Sequence, residues 1–195
     1  MFELFMNGLQ RSVGELITHQ KDGKGYKNLN FQVNTYFFAD PCLWFNLEFL
    51  LSMDSKGISI HTTNFSAEDL NVFLRSWQEG KTNWNLEQVK LRTYYARDMK
   101  EVLKGCKGEY MDPRTTKLRF CEPRSQGYQW IYGGIHIRRN DGRLAVIQTG
   151  FDDYYVEDNG ASEREIRTYL ATRQVWESEN SRYAWCEHWF RIYVF

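Results

Sequence analysis

The chain has 195 residues, a length that fits one domain with a buried core. Its 25 basic and 25 acidic side chains balance, which excludes the overall positive field that draws proteins onto nucleic acid or anionic lipid. Aromatic residues make up 16% of the chain, more than a disordered protein carries, and this predicts a folded protein.

The first segment, FELFMNGLQRSVGELI (2–17), spaces its apolar residues as an amphipathic helix does. We expect this helix to pack Phe5, Leu9, Leu16 and Ile17 onto the following domain. No basic start and no small-residue cleavage site accompany the apolar residues, so we expect no secretory signal here.

Four stretches then alternate apolar and polar residues, a pattern that predicts β-strands. They are NLNFQVN (28–34), GISIHTT (57–63), EQVKLRT (87–93) and TKLRF (116–120). Their central residues are Phe31, Ile60, Leu91 and Phe120. These four recur about every 30 residues, which indicates one structural unit used repeatedly.

Helical segments separate these strands. The clearest is NFSAEDLNVFLRSWQEG (64–80), which Ser66 caps and Gly80 ends. The others are PCLWFNLEFLL (41–51), opened by Asp40 and Pro41, and ARDMKEVLKGC (96–106).

Such connections are long enough for crossovers, so neighbouring strands should be parallel. The sequence therefore predicts an α/β fold, a short curved stack of βα units like leucine-rich repeats that ends in an antiparallel hairpin and a strand. Helical spacing places four aromatic side chains in the core between helices and sheet. They are Trp44, Phe49, Phe73 and Trp77.

GGIHIRRNDGRLAVI (133–147) predicts that antiparallel hairpin. Its glycine pair precedes a strand, whereas a phosphate-binding loop needs glycines between a strand and a helix. The turn comes from Asn140, Asp141 and Gly142, and we expect a two-residue loop. That loop gives a core face with Ile135, Ile137, Leu144 and Val146, places Arg139 at the turn end of this face, and points His136 and Arg138 to the other side.

The region 151–187 predicts an acidic loop followed by a helix that Ser162 caps. Tyrosine and tryptophan are preferred anchors in protein interfaces. The candidate protein-binding residues are Tyr154, Tyr155, Tyr169 and Trp176 of this region and Arg138 of the hairpin. The alternative is that the aromatic side chains only seat the region on the domain, and that Arg138 is an ordinary solvated side chain.

Three segments together resemble the nematode F-box-associated domain of the second type. FSAEDLNVFLRSWQEGKTNWNLEQVKL (65–91) is similar to its DLNxFLxxWxxG helix and following strand, and the hairpin is similar to its DIRRxDGxxATI motif. FRIYVF (190–195) is similar to its closing FxMYVW strand. The segment 2–17 also resembles the second half of an F-box, without the leucine-proline opening.

The resemblance implies a partial, helical F-box-like segment over 1–20 and an F-box-associated domain over 28–195, with an insertion at about 151–187. It implies a non-catalytic protein-interaction module that recruits substrates to a cullin-based ubiquitin ligase. A Skp-type adaptor would be the partner of the F-box. A stand-alone binding protein that no longer docks the ligase is the alternative.

One cluster of residues would suit catalysis. Asp152, Asp153, Glu157 and Asp158 would serve a metal-dependent hydrolase, but calcium-loop spacing is absent. The chain also has no HExxH motif, no nucleophile elbow and no Walker loop. We therefore expect no enzyme activity, cofactor or metal. A nucleic-acid site would have to use Arg138, Arg139 and Arg143, and we expect none.

Hydropathy and cysteine spacing bear on the compartment. The longest apolar run, CLWFNLEFLL (42–51), is broken by Asn46 and Glu48 and is too short to cross a bilayer. The four cysteines form no CxxC pair, which suits neither a zinc site nor a disulfide scaffold. We expect reduced thiols and a cytoplasmic or nuclear protein.

Overall fold

The computed structural model describes residues 12–19, 31–125, 127–150, 157–178 and 182–195. This part of the chain is mixed α/β, with more strand than helix. In chain order its elements are β1 (Val13–Thr18), β2 (Val33–Ala39), α1 (Leu47–Ser52), β3 (Gly57–Thr63), α2 (Ala67–Gln78), β4 (Gln88–Asp98), α3 (Met99–Val102), β5 (Glu109–Met111), β6 (Lys117–Cys121), β7 (Tyr128–Tyr132), β8 (Gly134–Arg138), β9 (Leu144–Gln148), α4 (Glu163–Glu177) and β10 (Cys186–Val194).

Eight strands form one sheet in the order β1-β2-β3-β4-β10-β9-β8-β5. The first four are parallel, which confirms the predicted parallel order for β2, β3 and β4, and the helices α1 and α2 supply two of their crossovers. Beyond β4 the sheet is antiparallel, because β10 pairs with β4 in the opposite direction. The regular stack of strand and helix therefore does not continue past β4.

The predicted repeat is wrong at its first and fourth positions. Ala39, not Phe31, pairs with Ile60, which in turn pairs with Leu91. Phe120 lies in β6, which among the described strands pairs with β7 alone, in a separate antiparallel sheet. We call this two-stranded sheet the ribbon.

The long helix α2 confirms the local prediction in detail. Ser66 caps it, and the Ser66 side chain and Asp69 exchange hydrogen bonds in a capping box. Gly80 follows with φ +70°, the left-handed conformation that favours glycine. The aromatic residues predicted for the core are all buried beneath the helices. They are Trp44, Phe49, Phe73 and Trp77.

Two other helices are shorter than predicted. α1 begins only at Leu47, because Asn46 rather than Asp40 accepts the capping hydrogen bond, at 2.8 Å from the Phe49 nitrogen. α3 spans four residues, since β4 extends to Asp98 and occupies the start of the predicted helix.

The hairpin β8–β9 is present, but its predicted register is wrong by one residue. Arg139 and Arg143 close a three-residue loop, and Gly142 takes φ +94°. Ile135 therefore pairs with Ile147, and Ile137 with Ala145. Both faces of β9 are buried here, so hydrophobicity alone did not fix the register.

The N-terminal helix prediction is wrong where the structure describes the chain. Val13–Thr18 is a strand, with Leu16 buried and Ile17 exposed on opposite faces. Phe5 and Leu9 lie outside the described residues. The division into a segment 1–20, a domain 28–195 and an insertion at 151–187 stays a prediction.

The ribbon covers the centre of the sheet face opposite the helices. Phe120 packs edge-on against Tyr193 of β10, with ring centroids 5.0 Å apart. The ammonium of Lys90 on β4 also lies 3.1 Å from the carboxylate of Glu122 at the end of the ribbon. Burial opposes the charge of Glu122, but the Ser125 hydroxyl and Lys90 outweigh it and lower the pKa of Glu122. Packing and an ion pair thus hold the ribbon in place.

Candidate protein-binding surface

The sheet has one face for the core and one that the helices α1 and α2 leave open. Along each strand successive side chains alternate between these faces. Phe37, Ile60, Leu91 and Phe190 are buried on the helix side. The next or preceding residue of each strand therefore points to the open face, and these neighbours are Phe38, His61, Arg92 and Trp189.

Aromatic rings form a continuous row across the open face. The rings of Phe38 and His61 lie 5.4 Å apart, and those of His61 and Trp189 5.2 Å apart, both edge to face. Tyr36 precedes Phe38 by two residues and shares its face. The row lies near the carboxyl ends of the parallel strands β2 and β3.

An arginine lies at each end of this row. The guanidinium of Arg92 lies 5.4 Å from the Trp189 ring centroid, and that of Arg124 lies 5.1 Å from the Tyr36 ring centroid. We call Tyr36, Phe38, His61 and Trp189, together with Arg92 and Arg124, the aromatic band.

The two arginines differ in their acidic partners. Arg124 also lies 3.5 Å from the carboxylate of Glu15. For the guanidinium of Arg92, the Trp189 ring is the sole partner within the described part of the chain. Its N–H groups remain available to an acceptor on a partner.

The absence of a side chain at Gly57 leaves room for the Tyr36 ring of the band. Gly57 on β3 pairs directly with Tyr36 on β2. A Cβ at position 57 would lie 2.7 Å from Cδ2 of the Tyr36 ring, closer than real Cβ contacts come. The missing side chain of Gly57 therefore sets the position of Tyr36 and, through it, of Arg124.

A bulge in β4 extends the band with two tyrosines. Trp189 pairs with Arg92 but Glu187 pairs with Arg97, so residues 93–96 form an excursion from the ladder. The Thr93 hydroxyl donates a hydrogen bond of 2.7 Å to the Tyr95 carbonyl within it. Tyr94 and Tyr95 are 58% and 63% exposed, and their rings touch at 4.8 Å. The bulge thus presents two rings to solvent.

The described residues beside the bulge enclose a groove of about 610 Å³. Its walls include Arg92, Tyr94 and Trp189 and, from α4, Arg164 and Thr168. Thr62 in this groove has φ +61°, a conformation that costs a β-branched residue on the order of 1–3 kcal/mol. Such strain persists only where neighbouring structure enforces it, and it is typical of ligand-binding segments.

The aromatic residues predicted on α4 seat the helix on the domain. Tyr169 is 5% exposed, with its ring 5.0 Å from that of Tyr110, which is the arrangement expected of the alternative in which it seats the region on the domain. Trp176 is half-buried and contacts the rings of Tyr110 and Trp185. Burial raises the pKa of Tyr110 to about 12. The hydroxyls of Tyr110 and Thr172 are hydrogen-bonded to each other. Packing of the helix is the role these contacts describe.

The other predicted residues lie elsewhere. Arg138 is exposed near the hairpin turn, apart from the band. Tyr154 and Tyr155 lie outside the described residues, as do Asp152 and Asp153 of the acidic cluster. Asp158 is bonded to Lys117 and Tyr132. Within 12–19, 31–125, 127–150, 157–178 and 182–195, no group of three metal-ligating side chains occurs.

Two of the three arginines considered for nucleic acid, Arg139 and Arg143, are engaged within the protein. Arg139 is 3% exposed, with its guanidinium 4.4 Å from the Trp84 ring centroid, so it cannot reach a phosphate. Arg143 donates a hydrogen bond of 2.7 Å to the Trp84 carbonyl. No helix in the described part of the chain is long and apolar enough to cross a membrane.

One family match accompanies this geometry. The family described as F-box associated matches residues 24–91, about a third of the chain, which contain β2, β3 and α2 with the band residues Tyr36, Phe38 and His61. No curated protein and no solved structure matches the chain. The match supports an F-box-associated domain and the protein-interaction role of that family.

Proposed function

We propose that this chain is a non-catalytic protein-binding module that recruits a target protein through the aromatic band. The observation that carries the proposal is the row of rings with a stacked arginine at each end, on the open face of the sheet. Tryptophan, tyrosine and arginine supply most of the binding energy in protein interfaces. Rings held by contacts with one another lose little conformational freedom on binding.

The composition of the band indicates the chemistry of the target. The rings favour apolar side chains, and the N–H groups of Arg92 favour a carboxylate beside them. The tyrosines of the β4 bulge widen the surface toward the groove. The target segment therefore combines apolar and acidic residues.

The F-box-associated match over 24–91 supports a role in substrate recruitment. We propose that the segment 1–20 contributes to binding a Skp-type adaptor and that the chain serves a cullin-based ubiquitin ligase in the cytoplasm or nucleus. Arg138, Tyr154 and Tyr155 are proposed as additional contacts with the target. That these three residues contact the same target as the band is part of the proposal.

Affinity capture from the source cells, followed by mass spectrometry, tests this function. The variants are Arg92→Ala and Tyr94→Ala, both at exposed positions, and Tyr183→Ala is the matched control because Tyr183 is exposed outside the band. We expect the wild type and the control to retain a target and the adaptor. The band variants should lose the target and keep the adaptor.

The outcomes separate the two halves of the proposal. A target that remains on both band variants would show that the band is not the binding surface. A target without the adaptor would show a stand-alone binding protein. Circular dichroism of each variant confirms that the fold is intact.

A further inference from the structure

The ribbon has an outer face, directed away from the large sheet, that is exposed at Arg119 and Tyr128, whereas Tyr132 at its other end is buried. Directly paired residues of an antiparallel ladder share a face. Leu118 with Ile131, and Phe120 with Gln129, face the large sheet. The outer pairs are Lys117 with Tyr132, Arg119 with Trp130, and Cys121 with Tyr128.

Cations lie over aromatic rings twice on this outer face. The ammonium of Lys117 lies 5.2 Å from the Trp130 ring centroid, and the guanidinium of Arg119 lies 4.0 Å from the Tyr128 ring centroid. In both cases the ring belongs to the pair two residues further along the ribbon. Stacking on a ring fixes the cation and leaves its N–H groups directed outward.

The first unit already holds a carboxylate from the same chain. Asp158 lies 2.5 Å from the Lys117 ammonium, and the Tyr132 hydroxyl donates a hydrogen bond of 3.0 Å to its other oxygen. The bond from Lys117, together with that from Tyr132, holds the pKa of Asp158 below its usual value, so this carboxylate is charged.

The second unit has no such partner. Among the described residues, the guanidinium of Arg119 lies over the Tyr128 ring and forms no hydrogen bond or ion pair. The nearby cations Lys90 and Arg124 have Glu122 and Glu15. Within the described residues, Arg119 is thus the ribbon cation without a carboxylate partner.

We propose that the outer face of the ribbon binds an extended acidic segment of a partner protein, with a carboxylate at Arg119 in the place that Asp158 takes at Lys117. Alternate residues of an extended chain lie about 6.6–7 Å apart on one side, the same step that separates the two units. The chain itself puts a carboxylate on Lys117, and its balanced charge gives no long-range attraction for a nucleic-acid backbone. This surface is distinct from the aromatic band and adds a second kind of partner.

An NMR titration of the full chain with a defined probe tests the proposal. The probe is the capped hexapeptide Ac-EAEAEA-NH2, and Ac-QAQAQA-NH2 is its uncharged control. We expect saturable binding of the first peptide at low salt and none of the second. Arg119→Ala should weaken binding about fivefold, the factor for the upper range of an exposed ion pair. Arg167→Ala, which removes an exposed arginine of α4 outside both surfaces, should leave it unchanged.

Asp158→Asn supplies a test in the opposite direction. It removes the internal charge but keeps the shape of the side chain, so Lys117 becomes available and binding should strengthen about fivefold by the same reasoning. Unchanged affinity of either Arg119→Ala or Asp158→Asn would overturn the proposal. So would a decauridine oligonucleotide that binds through Arg119 when the acidic peptide does not.

Discussion

We predict that the effect of Gly57→Ala on stability depends on Tyr36, the residue that pairs with Gly57. The substitution should destabilise the wild type but stabilise a variant that lacks the Tyr36 ring. In the wild type, Gly57→Ala places a Cβ 2.7 Å from the Tyr36 ring, and the ring cannot yield freely because Arg124 stacks on it. Overpacking of this kind costs about 1–3 kcal/mol. We therefore expect Gly57→Ala to lower the free energy of unfolding by about 2 kcal/mol.

The same substitution should be favourable once the ring is gone. With Tyr36→Ala the next atom, the carbonyl oxygen of Thr35, lies 3.4 Å away, which is ordinary contact. Alanine in a strand interior is more stable than glycine by roughly 0.5–1 kcal/mol, because glycine loses more freedom on folding. Gly57→Ala should thus stabilise the Tyr36→Ala background.

Urea denaturation of the four proteins in this double-mutant cycle measures both effects, provided that they share one m value. The expected coupling between positions 36 and 57 is about 2.5–3 kcal/mol, the difference between the cost of Gly57→Ala in the wild type and its gain in the Tyr36→Ala background. If Gly57→Ala costs the same in both backgrounds to within about 0.5 kcal/mol, the residues are independent and the account of the band is refuted.

Three further predictions concern stability and reactivity. Asn83 has φ +52° and donates hydrogen bonds of 2.9 and 2.6 Å to carbonyls at the end of α1, so Asn83→Ala should cost about 3 kcal/mol in urea denaturation. Asn83→Gly should recover about 1 kcal/mol of this, and equal costs would contradict the left-handed strain. Burial lowers the pKa of His136 below 6.5, with Arg138 assisting and Gly133 and Glu109 opposing. Neutral His136 therefore contributes its full stabilisation above pH 6.5, and this contribution is lost as the pH falls through the lowered pKa. In thermal melts, the melting temperature of His136→Gln should consequently fall less on acidification than that of the wild type. Ellman's reagent should react with two of the four thiols in the native protein and with all four in urea, because burial raises the pKa of Cys42 to about 12 and of Cys106 to about 11. Four reactive thiols in the native state would contradict this burial.

Local signals in the sequence were sufficient for α2 and its packing. The cap at Ser66, the spacing of Phe73 and Trp77, and Gly80 all act within one helix, so no knowledge of distant residues was needed. The crossovers also predicted the parallel order of β2, β3 and β4, since a long connection between adjacent strands permits little else.

The alternation of apolar and polar residues indicated strands but did not predict which strand lies beside which. TKLRF alternates as well in an antiparallel ribbon as in a parallel stack, so its pattern did not distinguish β6 from a fourth repeat. Residues 13–17 likewise have apolar side chains compatible with both helix and strand. A useful signal lay in YQWIY (128–132), which follows TKLRF closely enough to be its hairpin partner.

The candidate site was missed because it is assembled from one residue per strand. Phe38, His61 and Arg92 are separated by helices, and Trp189 joins them only because β10 inserts beside β4. The sequence did show an unusual feature: the side chain next to the core residue is aromatic or basic in each of these strands. That feature indicates a second face with a role, but the topology is needed to show that the four side chains meet.

Separation of the two sheet faces has a consequence for evolution and for experiment. Helix-side residues such as Phe49 and Phe73 carry the core, so substitution there destabilises the fold before it alters recognition. Arg92 and Tyr94 are exposed on the other face, where substitutions usually change stability by less than about 0.5 kcal/mol. Residues of this face can therefore change while the fold is maintained. The same division applies within the ribbon. Phe120 lies on its inner face, against the large sheet, and Arg119 lies on its outer face.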